Sequence, residues 1–113
     1  MSRRQMNLLQ GTLDVLVLKA LAHHPRHGYG VAEWVRDTTD GTLQIEDGAL
    51  YTSLHRMEKR GWIAAEWGVS ANNRRAKYYS LTGSGREQLE KASTNWSRYA
   101  EAVSKVLGSE EGA

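Results

Sequence analysis

The chain has no cysteine, no phenylalanine and only one proline. Without cysteine there is no disulfide, no thiolate zinc site and no cysteine nucleophile, an economy that suits a reducing compartment, and a cytoplasmic location is expected. Without phenylalanine, the large core residues must be Leu, Val, Trp and Tyr. No apolar run approaches the ~18 residues that a membrane span requires. The amino-terminal MSRRQMNLLQGT carries two arginines but neither the apolar block nor the cleavage site of a secretion signal. Neither sign of charge dominates: 15 Lys/Arg against 13 Asp/Glu leave a net charge of +2, which excludes a histone-like polycation. The small excess is unevenly placed, with 11 basic against 8 acidic residues in 1–79 and 4 against 5 in 80–113.

What is present, in 113 residues, suffices for one domain with a protruding element. LDVLVLKALA (13–22) follows Thr12, a plausible N-cap, and is apolar on every side except at Asp14 and Lys19, so it reads as a central core helix. HHPRHG breaks it as a loop. GYGVAEWVRD (28–37) is a second helix, TTDGT a turn, and LQI (43–45) a short strand. His23, His24 and His27 find no cysteine or carboxylate at metal-ligand spacing, so no metal site is expected.

The most informative stretch is EDGALYTSLHRMEKRGW (46–62). Leu50, Leu54 and Met57 recur at the i, i+4, i+7 spacing of one buried helix face. Tyr51, Thr52, His55, Arg56 and Lys59 fall on the other faces, and Gly61 stops the helix. Hydrogen-bonding and cationic groups without a carboxylate among them suit a DNA groove. Glu46 and Asp47 at its start are expected to cap the helix; the alternative is that Asp47 accepts from a cytosine amine.

The period then becomes extended. Ile63, Ala65 and Trp67 alternate along WIAAEWGV, SANNRRA turns, and Lys77 to Leu81 alternates again, which makes a hairpin with a polar, basic tip. Thr82 or Ser84 caps a last helix, Ser84 forming a capping box with Glu87. Along that helix Leu89, Ala92, Trp96, Tyr99, Val103 and Val106 are spaced 3-4-3-4-3, an a/d seam that implies a partner helix and hence a homodimer. The fold class is therefore mostly α with a small β-hairpin: a winged helix-turn-helix over 1–81, a C-terminal dimerisation helix over 82–108 and a polar tail over 109–113. The hairpin is the wing. Asn72, Asn73, Arg74, Arg75 and Lys77 on it are placed to meet phosphates, with Lys77 alternatively a strand-surface residue. Arg3 and Arg4 form either a plain tail or a minor-groove arm.

At this point the residues resemble the PadR family of bacterial transcriptional regulators. The likeness rests on LDVLVLKALA (13–22), HGYGVAEWV (27–35), GALYTSLHRMEKRGWI (48–63), RRAKYYSLTGSGREQL (74–89) and NWSRY (95–99). It implies the compact subgroup with a single C-terminal helix: a homodimeric protein, usually a repressor, on a palindromic promoter element with ATGT/ACAT-type half-sites. It also implies effectors such as phenolic acids or planar cationic drugs. Carried onto this sequence, it makes Tyr51 the reading-helix tyrosine, with Thr52, His55 and Arg56 facing outward beside it, Lys77 the wing cation and Trp96 the dimer-helix tryptophan. Trp96 then either packs in the seam or, with its symmetry mate, forms a flat slot for an aromatic effector. Trp34, Trp62 and Trp67 are expected to pack in the core or under loops. No nucleophile–base constellation and no cofactor motif emerges, so an enzyme is not expected. The rival readings are a protein-interaction module of the same fold and a small-molecule binder without regulatory function.

Overall fold

The computed structural model describes residues 10–110; Arg3 and Arg4 lie outside them. In chain order the elements are α1 (Gln10–His23), β1 (Arg26–His27), α2 (Gly28–Thr38), α3 (Asp47–Lys59), β2 (Ile63–Val69), β3 (Arg75–Leu81) and α4 (Gly83–Leu107). The apolar α1 is the hub. Leu13, Val17, Leu18, Ala20 and Leu21 are buried, and α2, α3, β3 and α4 all pack around them. Val31 and Val35 come from α2, and Leu50, Leu54 and Met57 from α3, the spacing read from the sequence. Full burial of each such side chain contributes about 1.5–3 kcal/mol. No helix among the described residues is long and apolar enough to cross a membrane.

Short-range chemistry sets the joints. His27 caps α2: its Nδ1 accepts the Gly30 amide at 2.9 Å, which leaves the proton on Nε2. Thr39 ends α2, its hydroxyl donating to the Val35 carbonyl at 2.9 Å while accepting the Leu43 amide at 3.0 Å. Asp40 and Gly41 turn the chain at φ of 52° and 81°. At the end of α3, the Gly61 amide donates to the Glu58 carbonyl and the Trp62 amide to the Met57 carbonyl. With Gly61 at φ 80° this is a Schellman stop.

Four local expectations are corrected. Leu43–Ile45 is not a strand: the sheet of the described residues is β1, β3 and β2, and Ile45 plugs the core instead. The strand absent from the sequence reading is β1, inside the HHPRHG loop, where Arg26 pairs with Tyr79 and His27 with Tyr78. Glu46 sits at the N-cap of α3 but its side chain makes no capping hydrogen bond, and Asp47 follows in the first turn. Finally, α4 is capped by Thr82, whose Oγ1 accepts the Gly85 amide at 3.0 Å. Ser84 donates instead to the Gly61 carbonyl at 3.2 Å, so the proposed box with Glu87 does not form.

The three strands lie in the order β1-β3-β2, all antiparallel. In the β2–β3 register Ile63 faces Leu81, Ala65 faces Tyr79, Trp67 faces Lys77 and Val69 faces Arg75. This face is buried at its Ile63 end and exposed at Trp67 and Val69, where the hairpin leaves the core. α4 runs against α1. Leu89 still packs against the core, but Tyr99, Val103, Val106 and Leu107 are exposed. At 25 residues the helix runs about 37 Å, which accounts for the 61 × 38 × 21 Å outline of the molecule. Three helices around one core, a two-residue strand, a hairpin wing and a long final helix constitute a winged helix-turn-helix.

Candidate nucleic-acid interface

The outer face of α3 carries Tyr51, Thr52, His55 and Lys59, all exposed. With Arg56 and Tyr79 they line an open groove of about 670 Å³. Burial pushes the Tyr79 hydroxyl above its ordinary range, a nearby Lys77 pulling it part of the way back, so at neutral pH it is a neutral donor. A second cleft of about 410 Å³ lies between the start of α2, Tyr51 and the wing, and includes His27, Gly28, Tyr29, Trp67, Arg74 and Arg75. Gly28 makes this cleft possible. A Cβ on it would fall 2.6 Å from the Tyr51 hydroxyl oxygen and 2.8 Å from its ring, so the tyrosine lies directly over the glycine.

The cations divide into two sets. Arg56 turns back toward α1, where Asp14 Oδ1 accepts from its guanidinium and, at 2.8 Å, from the Ser53 hydroxyl. Arg56 and Asp14 are 28% and 21% exposed, so this pair ties α3 to the hub more than it faces solvent. Lys77 reaches Glu58 at 3.4 Å, bridging the wing to α3. Sequence reasoning set both beside Tyr51 and Arg74 as outward groups; packing gives each a carboxylate partner 42 and 19 residues away. Lys59, Arg74 and Arg75 have no carboxylate partner among the described residues.

The wing tip is internally braced. The Ser70 amide donates to the Arg74 carbonyl at 2.7 Å, and the Ser70 hydroxyl accepts the Arg74 amide at 3.2 Å and donates to Asn72 Oδ1. Asn73 takes φ 62°, which asparagine tolerates. Behind the tip, the Arg75 guanidinium lies 4.6 Å from the centroid of the Trp67 ring. Trp67 is 57% exposed, so its expected place in the core is corrected: the alternation that buries Ile63 carries Trp67 past the edge of the hydrophobic layer. That alternation, extended beyond the last core residue, was the signal available in the sequence. Tyr29 on α2 is 61% exposed in the same cleft.

The α4 seam is split by the fold. Leu89 and Ala92 pack on their own domain in part, while Trp96, Tyr99, Val103 and Val106 are exposed. The Trp96 indole donates to the Thr12 hydroxyl at 3.1 Å. Between α1 and α4 runs a groove of about 450 Å³ with Thr12, Asp14, Trp62, Trp96 and Tyr99 on its walls.

Comparison with known proteins places this geometry among regulators. A family model described as the transcriptional regulator PadR-like family matches residues 17–91. A PadR family transcriptional regulator from Eggerthella lenta is 31% identical, with a TM-score of 0.74 over 89% of this chain and 86% of that one. A PadR family transcription regulator from Clostridium difficile is 28% identical, with a TM-score of 0.72 over 85% and 98%. A PadR-like transcriptional regulator from Bacillus cereus is 26% identical, with a TM-score of 0.76 over 90% and 97%.

Proposed function

Because the chain belongs to the PadR-like family of transcriptional regulators, we propose that it is a DNA-binding repressor that acts as a homodimer on a palindromic promoter site in the cytoplasm. The observation that carries this reading is the joint presentation of two surfaces. The Tyr51, Thr52 and His55 face of α3 is open. Beside it stands a wing whose Arg74 and Arg75 carry no carboxylate partner among the described residues. On this reading Tyr51, Thr52 and His55 enter the major groove, while Asn73, Arg74 and Arg75 grip the adjacent phosphates. Arg56 and Lys77 act first as struts that hold α3 and the wing in register, and meet phosphate only at the edge of the interface.

The exposed part of α4 supports the dimer. Trp96, Tyr99, Val103 and Val106 form one apolar stripe on a helix that projects from its own domain. Paired with a second copy, it would hold two reading helices about 34 Å apart, one turn of DNA. An aromatic effector, where one acts, would sit beside Trp96 in the α1–α4 groove. It would shift DNA affinity only by its preference for one dimer geometry over another.

The test is a gel shift on the promoter of the protein's own gene, run alongside sedimentation of the free protein. A dimer that binds that duplex, and loses it when Arg74 and Arg75 are both changed to Gln, is expected. A monomer at micromolar concentration that ignores genomic duplex would sink the reading.

A further inference from the structure

We propose that Trp67 is a positioning residue for DNA: its ring holds the Arg75 guanidinium in the cleft between the wing and the start of α2, ready for a backbone phosphate. The inference rests on the DNA-binding reading above and adds a role that neither charge nor helix periodicity assigns.

An exposed tryptophan needs an explanation, because it leaves a large apolar surface in water. Trp67 does not serve the core, which ends at Ala65 and Tyr79 on the same face of the hairpin. Its cross-strand partner is Lys77, so Arg75 is its diagonal neighbour, within reach of a long side chain. The 4.6 Å separation of guanidinium and ring centroid is a cation–π contact. Arg75 makes no ion pair among the described residues, whereas Lys77 one step along the strand is committed to Glu58. An aromatic ring restrains an arginine without occupying its N–H groups, while a carboxylate would consume them. Both residues line the cleft that also holds Tyr29 and Tyr51. The pair thus delivers a cation that is fixed in place yet unspent. A free arginine would lose rotamer freedom on meeting phosphate; this one has lost part of it already.

The test is a double-mutant cycle on the full-length protein. Fluorescence anisotropy with a labelled duplex of its own promoter, across a salt series, compares wild type, Trp67→Ala, Trp67→Phe, Arg75→Ala and the Trp67→Ala/Arg75→Ala double variant. Arg75→Ala is expected to lower the log–log salt slope by about 1.8, one phosphate for each subunit of the dimer. Trp67→Ala is expected to weaken binding about two- to fivefold per subunit, the worth of an exposed cation–π contact, and so about four- to 25-fold for the dimer. Trp67→Phe should recover most of that loss, and the double variant should bind no more weakly than Arg75→Ala alone. The proposal is overturned if the two single effects multiply, or if Trp67→Ala binds like wild type. It is also overturned if Arg75→Ala leaves the salt slope unchanged; in these cases the DNA-binding reading survives. Wild-type protein that binds no duplex overturns both.

Discussion

Gly85, in the first turn of α4, is the position where one methyl group should do the most damage. A Cβ there would lie 2.0 Å from the Trp62 carbonyl oxygen and 2.9 Å from Leu81 Cδ1. Backbone cannot swing aside as a side chain can, so helix and strand must separate by at least the 1.0 Å between that 2.0 Å and the 3.0 Å below which real Cβ contacts essentially never fall. The same carbonyl accepts the Thr82 amide at 3.1 Å and the Thr82 hydroxyl at 3.0 Å. A shift of that size breaks both, at about 1 kcal/mol each. Overpacking adds about 1–3 kcal/mol, and the better helix propensity of alanine returns up to about 1 kcal/mol. The net loss for Gly85→Ala is roughly 2–5 kcal/mol, a large share of the 5–15 kcal/mol typical of a domain. Gly83, two residues earlier, has nothing within 4 Å of its would-be Cβ, so Gly83→Ala should be neutral or stabilise by up to about 1 kcal/mol. Urea unfolding of both variants, at one protein concentration because assembly would add to stability, gives the comparison. Equal midpoints would refute the argument that α4 is docked through a glycine-only contact.

Two further outcomes follow from the site. Gly28→Ala should leave stability within about 1 kcal/mol of wild type, since the clash is with the flexible end of Tyr51. It should nonetheless weaken promoter binding about tenfold by displacing that ring, the scale of one lost base contact, and anisotropy at fixed salt reads the difference. Asp14→Asn should cost about 1–3 kcal/mol by depriving the half-buried Arg56 of its charge partner. Thermal unfolding checks this, and an unchanged midpoint would mean that the pair does not tie α3 to α1.

Much of this fold is legible in the order of residues because its elements are chosen locally. Leu50, Leu54 and Met57 mark the buried side of α3 by spacing alone. Gly61 needs a positive φ whatever surrounds it, and the alternation through Ile63 and Ala65 requires a strand before any partner is known. The exposed stripe of Trp96, Tyr99, Val103 and Val106 likewise keeps the period read from the sequence. Periodicity assigns a residue to a face; it does not say how far the core extends beneath that face. Trp67 therefore reads as packing although the hydrophobic layer ends at Ala65, two residues before it.

The partners of charged groups are set at longer range. Arg56 meets Asp14 across 42 residues of chain, and Lys77 meets Glu58 across 19. Nothing in local composition distinguishes these cations from Arg74, which has no carboxylate partner among the described residues. Residues near in sequence determine φ, ψ and period, so they determine helices, strands and turns. Which cation is neutralised and which is left for a phosphate depends on distances of a few ångströms between separate elements, and those exist only once α1, α3 and the wing have packed together.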